Sequence, residues 1–311
     1  MSSAAVLLMA YGTPATPDGL EAYYTHIRHG RPPSPELITE LRDRYEAIGG
    51  RSPLLDITEA QAAGLKAALN AALHRDVEVV VGMKHAPPFI EDAARDLAAA
   101  GVERVVGLVM APHYSSMSVG EYAGRAAAAL GEGPQAPSFA MVQSWATARG
   151  YVEWLAAAVH AALDELGRSA TWAHVVFTAH SLPQRILQSG DPYPAELRAT
   201  AQAVARSAGL ERWSVAWQSA GRTEDPWIGP DILEVLPKLR RAGASAVVVC
   251  PAGFVADHLE VLYDLDIEAA EAARALGLAF ARTAAPNADV ALAATLADVV
   301  SPLLSPEAAR R

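Results

Sequence analysis

Leu7-Leu8-Met9-Ala10-Tyr11-Gly12-Thr13-Pro14, near the start of the chain, has a counterpart in Val176-Phe177-Thr178-Ala179-His180-Ser181-Leu182-Pro183. Each stretch is a mostly apolar run that ends in Ala and is followed by a candidate site residue, two further residues and Pro. A short apolar run of this kind is typical of a buried strand in a parallel sheet. The repeat therefore predicts two similar halves, with Tyr11 and His180 at the ends of corresponding strands.

The alternation of short apolar runs with Ala-rich segments of helical period predicts parallel sheets with helices on both faces. The predicted strands are 5–10, 77–82, 105–110, 139–143, 174–179, 214–218, 246–250 and 278–281. The predicted helices include 35–48, 58–73, 88–100, 118–130, 149–166, 195–207, 232–242 and 290–303. The strands divide four and four, which predicts a first half over 1–148, a second over 149–285, and a C-terminal helix within 286–311 that packs back on the first half.

The bulk composition excludes several classes of protein. A chain of 311 residues with 51% hydrophobic residues is long enough for two domains, and its net charge of −10 argues against a general nucleic-acid binder. The single cysteine, Cys250, rules out a disulfide framework, a Cys-based structural zinc site and a four-cysteine iron–sulfur cluster within the chain. No basic leader or membrane-length apolar run is present, so we expect a cytoplasmic protein without a transmembrane segment.

An acidic row follows the apolar run 246–250. Glu260, Asp264 and Glu268 are spaced four residues apart, so they lie on one face if the segment is a regular helix. Like charges at this spacing destabilise a helix. Carboxylates with a nearby His suit a divalent metal such as Fe²⁺. The alternative is a solvated acidic helix face.

His180 and Tyr11 are candidate site residues because ligands of open α/β sheets bind at the carboxyl ends of the strands. His180 could bind a metal or accept a proton, or it could be a hydrogen-bonded structural residue. Tyr11 could stack on a planar ligand or approach a metal, or it could be a packing residue. No GxSxG motif supports a Ser-His-Asp hydrolase.

A cationic segment, 23–33, stands out in this acidic chain, and Arg42, Arg44 and Arg51 follow it. Guanidinium groups bind carboxylates in bidentate geometry, so the pattern indicates a substrate with several carboxylates. The alternative is an exposed loop with ordinary ion pairs.

The acidic row, the two strand ends and the cationic segment belong to a larger set of segments that together resemble a ferrochelatase. The segments that carry the resemblance span nearly the whole chain in the order of the family: 9–14, 23–28, 43–50, 82–85, 111–115, 179–183, 217–221, 226–231 and 253–264. The resemblance implies two Rossmann-like domains with the active-site cleft between them. It is closest to the Gram-positive type that acts on coproporphyrin III.

The resemblance also implies roles for individual residues. His180 and Glu260 are the iron-handling pair, Asp264 and Glu268 continue as an outer metal site, and Tyr11 is an axial ligand to the product iron. The residues implied to hold the macrocycle and its carboxylates are Tyr11, Arg28, Arg44, Tyr45, Ser52 and Tyr122. His29 departs from the family, because relatives often carry another basic residue in this region, so its role stays open.

The implied reaction inserts Fe²⁺ into coproporphyrin III, with release of two pyrrole protons, in haem biosynthesis. The alternatives are a protoporphyrin IX ferrochelatase, a cobalt or nickel chelatase of the same fold, and a haem or porphyrin carrier that is not an enzyme. We expect a monomer with porphyrin and ferrous iron as substrates, no permanently bound cofactor, no iron–sulfur cluster, no nucleic acid, and transient contact with another haem-pathway enzyme.

Overall fold

The computed structural model describes residues 4–131, 135–221, 223 and 225–304, so parts of the predicted ranges 1–148, 149–285 and 286–311 lie outside the described residues. The strands are β1 Ala4–Ala10, β2 Glu78–Met83, β3 Arg104–Val109, β4 Ser138–Met141, β5 Ala173–His180, β6 Trp213–Gln218, β7 Ala246–Cys250 and β8 Ala279–Arg282. The α-helices are α1 Leu20–Ile27, α2 Pro35–Ala47, α3 Leu54–Leu73, α4 Ile90–Ala99, α5 Val119–Leu130, α6 Arg149–Leu166, α7 Arg185–Gln188, α8 Tyr193–Ser207, α9 Ile232–Arg241, α10 Leu259–Leu262, α11 Ala270–Ala275 and α12 Val290–Val300. A π-helical segment, Asp264–Ala269, lies between α10 and α11.

The strands form two parallel four-stranded sheets with the orders β2-β1-β3-β4 and β6-β5-β7-β8. The two orders are the same when β5 is matched to β1 and each later strand to its counterpart. β1 and β5 are central strands that pair on both sides. This topology confirms the predicted α/β fold of two similar Rossmann-like halves.

β1 is buried along its whole length because helices cover both faces of its sheet. Successive side chains of a strand point to opposite faces. Leu8 accordingly packs in the same apolar cluster as Leu65 of α3, while Leu7 packs in the cluster of Ile90 of α4. Each fully buried side chain of this size contributes roughly 1.5–3 kcal/mol. The apolar run that predicts this strand is therefore also what anchors it.

One apolar core contains side chains from both halves of the chain. Leu8 of β1, Leu155 of α6 and Phe177 of β5 belong to the same buried cluster. α12 packs against both α3 and α6, and the Nε atom of Arg104 donates to the carbonyl of Leu303 at 2.5 Å. The C-terminal helix thus contacts both halves.

Three short helices, α1, α7 and α11, lie outside the ranges that the sequence pattern predicts to be helical. α1 lies where the cationic segment begins, a segment for which an exposed loop is the alternative interpretation. Leu20 is its one buried residue, so α1 has no apolar stripe of helical period that a sequence pattern could reveal. None of the described helices is both long enough and apolar enough to cross a membrane.

Candidate active site

Two segments of the second half meet at the carboxyl end of β5 and bring His180 and Glu260 together. His180 is the last residue of β5, and Glu260 lies in the first turn of α10, after β7. The loop after β7 approaches β5 so closely that a Cβ atom on Gly253 would lie 2.5 Å from the Cβ atom of Ala179. Any larger side chain would push the loop away, so glycine at this position lets α10 start beside His180.

The His180–Glu260 pair is partly exposed. Nε2 of His180 lies 3.4 Å from Oε1 of Glu260, and the side chains are 32% and 30% exposed. The other ring nitrogen, Nδ1, contacts the carbonyl oxygen of Ser181. Because a carbonyl oxygen can only accept, we assign the proton of the neutral ring to Nδ1. Nε2 of the neutral ring then has a lone pair available for a metal ion or a proton.

Attraction within the pair and from its neighbours outweighs the cost of burying its charges. Desolvation lowers the pKa of His180, but the charge and hydrogen bond of Glu260, together with the Ser181 carbonyl and the charge of Asp264, raise it by more, so the net pKa is raised. Desolvation likewise raises the pKa of Glu260, but His180 and then His258 hold it well below its usual range. The pair therefore consists of a carboxylate beside an imidazole that protonates readily.

Glu260 is also held by groups to which the sequence analysis assigns no role. Nε2 of His258 lies 3.5 Å from Oε2 of Glu260. The Gln218 side chain donates to the Glu260 carbonyl at 2.9 Å and accepts from the Thr178 hydroxyl at 2.7 Å. The sequence signals these two residues only by their positions: His258 stands two residues before Glu260, and Gln218 ends β6.

The acidic row continues from Glu260 into the π-helical segment and differs from the regular α-helical face that its spacing predicts. The N–H of Glu268 donates to the carbonyl of Tyr263 at 3.0 Å, a five-residue step that widens the turn. Within this wider turn the Asp264 side chain is only 10% exposed, whereas Glu268 is 38% exposed. A spacing of four residues aligns carboxylates only on a helix with regular turns, and sequence spacing does not reveal a π-helical turn.

Residues from both halves hold Asp264. Its Oδ2 accepts from the Ser219 hydroxyl at 2.5 Å, and its Oδ1 lies 3.4 Å from Nη1 of Arg44. Burial raises the pKa of Asp264 to about 6; Ser219 and Arg44 favour its ionised form, and neighbouring carboxylates oppose it. Arg44 also lies 3.9 Å from Glu268. The arginine for which the resemblance implies substrate anchoring thus contacts the acidic row.

Tyr11 lies in the first half, directly after β1. It is 40% exposed, and its ring centre is 4.6 Å from that of His85. Desolvation of the phenol, followed by the charge of Glu260, raises the pKa of Tyr11. Thr13, two residues after Tyr11, lies 2.9 Å from the Tyr45 hydroxyl, and Arg44, next to Tyr45, reaches Asp264 of the second half. These contacts place the segment that carries Tyr11 on the side of the first half that meets the acidic row.

The other implied macrocycle contacts in the first half include three buried residues. Tyr45, Tyr122 and Ser52 are 3%, 4% and 2% exposed. The Tyr45 hydroxyl lies 2.9 Å from Oγ1 of Thr13, and Nζ of Lys84 lies 5.4 Å from the centre of the Tyr122 ring. Ser52 accepts from the first N–H of α3. These residues are packed into the fold, in contrast to Tyr11.

Arg28 and His29 follow the end of α1. Nε of Arg28 is buried and has no hydrogen-bond partner in the described part of the chain. Its guanidinium carbon lies 5.9 Å from the centre of the Tyr24 ring. His29 has a φ of 55° and lines an open groove along α1 with Asp18 and Glu21.

The site offers few protein ligands for a metal ion. Among the described residues, no three His, Cys, Asp or Glu side chains converge to enclose an ion. The pair of His180 and Glu260 nevertheless offers one nitrogen and one carboxylate. Imidazole and carboxylate donors are suited to Fe²⁺.

Comparison with known sequences decides the family. A family model described as Ferrochelatase matches residues 3–303. This chain belongs to the ferrochelatase family. The coproporphyrin III ferrochelatase of Anoxybacillus flavithermus is 45% identical over 95% of this chain and 94% of its own length. That of Geobacillus thermodenitrificans is 44% identical over 97% and 96%, and the ferrochelatase of Thermus thermophilus is 45% identical over 95% and 98%. Family membership confirms the prediction of a metal-insertion enzyme.

Solved structures agree with this ferrochelatase on the fold. SirB from Bacillus subtilis with Fe³⁺ has a TM-score of 0.60 at 12% identity, covering 100% of this chain and 98% of that chain. The sirohydrochlorin chelatase SirB from Bacillus subtilis subspecies spizizenii in complex with cobalt has a TM-score of 0.59, covering 99% and 98%. At this level of identity the likeness shows the two-domain architecture alone.

Proposed function

We propose that this ferrochelatase inserts Fe²⁺ into coproporphyrin III, yielding coproheme III and releasing two pyrrole protons. The observation that carries the proposal is the His180–Glu260 pair at the carboxyl end of β5. The second half offers this metal-binding and proton-accepting pair, and Tyr11 of the first half offers an exposed aromatic ring for a planar substrate. The names of several relatives at 42–45% identity support this choice of porphyrin.

His180 and Glu260 act on one face of the macrocycle. Insertion requires that iron lose water, that two pyrrole protons leave and that the flat ring pucker. The Nε2 lone pair of His180 can bind Fe²⁺ or take a pyrrole proton, and Glu260 stabilises an imidazolium at that position. Both roles require a neutral imidazole at the start, so activity should fall at low pH.

Tyr11 acts on the other face, where its exposed ring can stack on the macrocycle. It is the axial ligand to the product iron in this proposal. Tyr45, Tyr122 and Ser52 support the macrocycle from the packed wall of the first half. Their burial fits a role in shaping the wall, because buried side chains hold fixed positions.

Arg28 and Arg44 anchor the propionates and thereby supply binding energy for ring distortion. The buried, unpaired Nε of Arg28 supports this role, because an unsatisfied donor is costly and favours a ligand that accepts hydrogen bonds nearby. Arg44 already approaches carboxylates of the acidic row, which shows that it can reach such groups. Asp264 and Glu268 form the outer metal site from which iron passes to the pair.

The proposal also covers the setting of the reaction. Iron is a substrate, and we propose no permanent cofactor and no iron–sulfur cluster. Cys250 supports this, because it is fully buried and desolvation raises the pKa of its thiol to about 12. We further propose a cytoplasmic monomer that contacts another haem-pathway enzyme transiently.

Turnover distinguishes this enzyme from a carrier. Zn²⁺ insertion into coproporphyrin III can be followed by the shift of the Soret band, with the protein at about one hundredth of the porphyrin concentration. We expect full conversion, because each protein molecule releases its product and acts again. Conversion limited to one porphyrin per protein would support a carrier. Faster insertion of Co²⁺ or Ni²⁺ than of Fe²⁺ would support a different chelatase.

A further inference from the structure

A short segment of the second half, residues 191–196, fastens that half to the first beside the active site; we call it the latch. Asp191 and Glu196 each use one carboxylate oxygen to accept hydrogen bonds. Asp191 accepts from the Ser115 hydroxyl at 3.0 Å and from the Ser116 N–H and hydroxyl, each at 2.8 Å. Glu196 accepts from the Tyr114 N–H and the Ser144 hydroxyl, each at 2.7 Å. All five donors belong to the first half, and hydrogen bonds to a charged acceptor are stronger than neutral ones.

The latch fixes the start of α8. The second carboxylate oxygen of Asp191 accepts from the N–H of Tyr193 at 3.1 Å. Tyr193 is the first residue of α8 and is 7% exposed. The carboxylate that grips the first half therefore also holds the backbone of Tyr193.

Tyr193 in turn reaches the active site. Its hydroxyl donates to the carbonyl oxygen of His180 at 3.0 Å. Its ring lies edge-on to His113, with centres 6.1 Å apart, and tilted against Trp217, with centres 5.5 Å apart. In a close-packed interior such a ring cannot turn without displacing its neighbours. The hydroxyl is thus fixed against the backbone of His180.

His113, which follows β3, is the residue of the first half that packs against Tyr193. Its Nε2 lies 2.9 Å from the Thr200 hydroxyl oxygen, and that hydroxyl donates to the carbonyl of Ala146 at 2.8 Å. The hydroxyl oxygen therefore accepts, and Nε2 of His113 carries the proton. Burial lowers the pKa of His113 to about 3, so the ring stays neutral against Tyr193.

We propose that Tyr193 is a positioning residue for His180 and that the latch sets its place from the first half. The kinetic consequences rest on the proposed metal insertion. The distance from His180 to a macrocycle held at Tyr11 depends on how the halves sit together, and the latch ties the Tyr11 half to the His180 backbone. A displacement on the order of 1 Å can cost about 100-fold in rate. Loss of a single hydrogen bond from this set should move His180 by less than this and lower the rate about tenfold.

Tyr193→Phe tests the proposal, with Tyr151→Phe as the matched control. The Tyr151 hydroxyl is also buried and donates to a backbone carbonyl, that of Ala252, at 2.9 Å. Zinc insertion into coproporphyrin III should show kcat lowered about tenfold in Tyr193→Phe, with the Kd for coproporphyrin III and the KM for zinc within about twofold of the wild type. Tyr151→Phe should keep kcat. A wild-type kcat in Tyr193→Phe, or an equal fall in both variants, would overturn the proposal.

A second measurement does not depend on activity. The side-chain ¹⁵N resonances of His180, assigned with His180→Ala, report the surroundings of its ring at one fixed pH. They should move in Tyr193→Phe and stay in place in Tyr151→Phe. If they move while the wild type inserts no metal, the proposed function fails and the positioning role stands. If they stay in place in Tyr193→Phe, the positioning role fails whatever the activity.

Discussion

Arg44 reaches across the cleft to Asp264, with 3.4 Å between Nη1 and Oδ1. Arg44 lies on α2 of the first half, and Asp264 begins the π-helical segment of the second. The other terminal nitrogen of Arg44, Nη2, lies 3.9 Å from Oε1 of Glu268. Under the proposed function, one guanidinium group thus serves both a propionate and the outer metal site. The proposed function therefore predicts that binding of porphyrin and binding of iron are linked through Arg44.

Arg44→Gln should change the two KM values in opposite directions. Loss of a charged hydrogen bond of about 1.5–3 kcal/mol should raise the KM for coproporphyrin III about tenfold or more. Loss of the positive charge beside Asp264 and Glu268 should lower the KM for Fe²⁺ severalfold. Steady-state kinetics with each substrate varied in turn measures both. Arg42→Gln, an exposed position on the same helix, is the control and should change neither value. A shift of both KM values in the same direction would refute the link.

His180→Ala should abolish insertion and leave porphyrin binding largely intact. Removal of a group that binds metal or accepts protons costs roughly 10²–10⁴-fold in rate. Fluorescence quenching of coproporphyrin III measures binding, and the Soret shift measures insertion. His174→Ala, at the other end of β5, is the matched control and should keep its activity, because His174 bonds to Ser214 away from the cleft. Normal turnover in His180→Ala would rule out the assigned role.

The fold follows largely from the sequence because its signals are local. β1 is buried throughout and is an uninterrupted apolar run, and the buried part of β5, residues 175–179, is apolar except for Thr178. The same run-and-helix pattern in each half is enough to predict two similar sheets. α1 escapes detection because a helix with one buried residue carries no apolar stripe.

The site is only partly predictable because its contacts join distant segments. Tyr11 and His180 can be located from their strand ends. The bonds of Arg44 to Asp264 and of Tyr193 to the His180 carbonyl depend on how the halves pack, and no local pattern encodes that. The wide turn at Asp264 is likewise hidden, because residue spacing is the same for an α-helix and a π-helix.

Asp264→Ala combined with Glu268→Ala should raise the KM for Fe²⁺, with a smaller effect on that for coproporphyrin III. The two carboxylates offer hard oxygen donors on the way to Glu260, and their removal lowers the local concentration of the cation. Kinetics with Fe²⁺ varied under anaerobic conditions measures the effect. Glu271→Ala, an exposed position just beyond the row, serves as the control. An unchanged iron KM in the double variant would exclude a metal-feeding role.

Asp264 should also make stability depend on pH. Its pKa is raised from 3.8 to about 6 in the fold, so between these values the native state keeps a proton that the unfolded chain releases. Stability must then fall as pH rises through this window. Asp264→Asn removes the titration, so the variant should gain on the order of 2–3 kcal/mol relative to the wild type between pH 4 and pH 7. Urea unfolding at pH 4, 5, 6 and 7 measures the difference. Parallel curves for the two proteins would mean that Asp264 keeps its ordinary pKa.

The choice of porphyrin decides the proposed reaction. Initial rates of Fe²⁺ insertion, measured without oxygen from the Soret band, should be compared for coproporphyrin III and protoporphyrin IX at equal concentrations. Coproporphyrin III carries more propionates for Arg28 and Arg44, and each charged hydrogen bond is worth about 1.5–3 kcal/mol. We expect kcat/KM to be at least about tenfold higher for coproporphyrin III. An equal or higher value for protoporphyrin IX would contradict the proposed function.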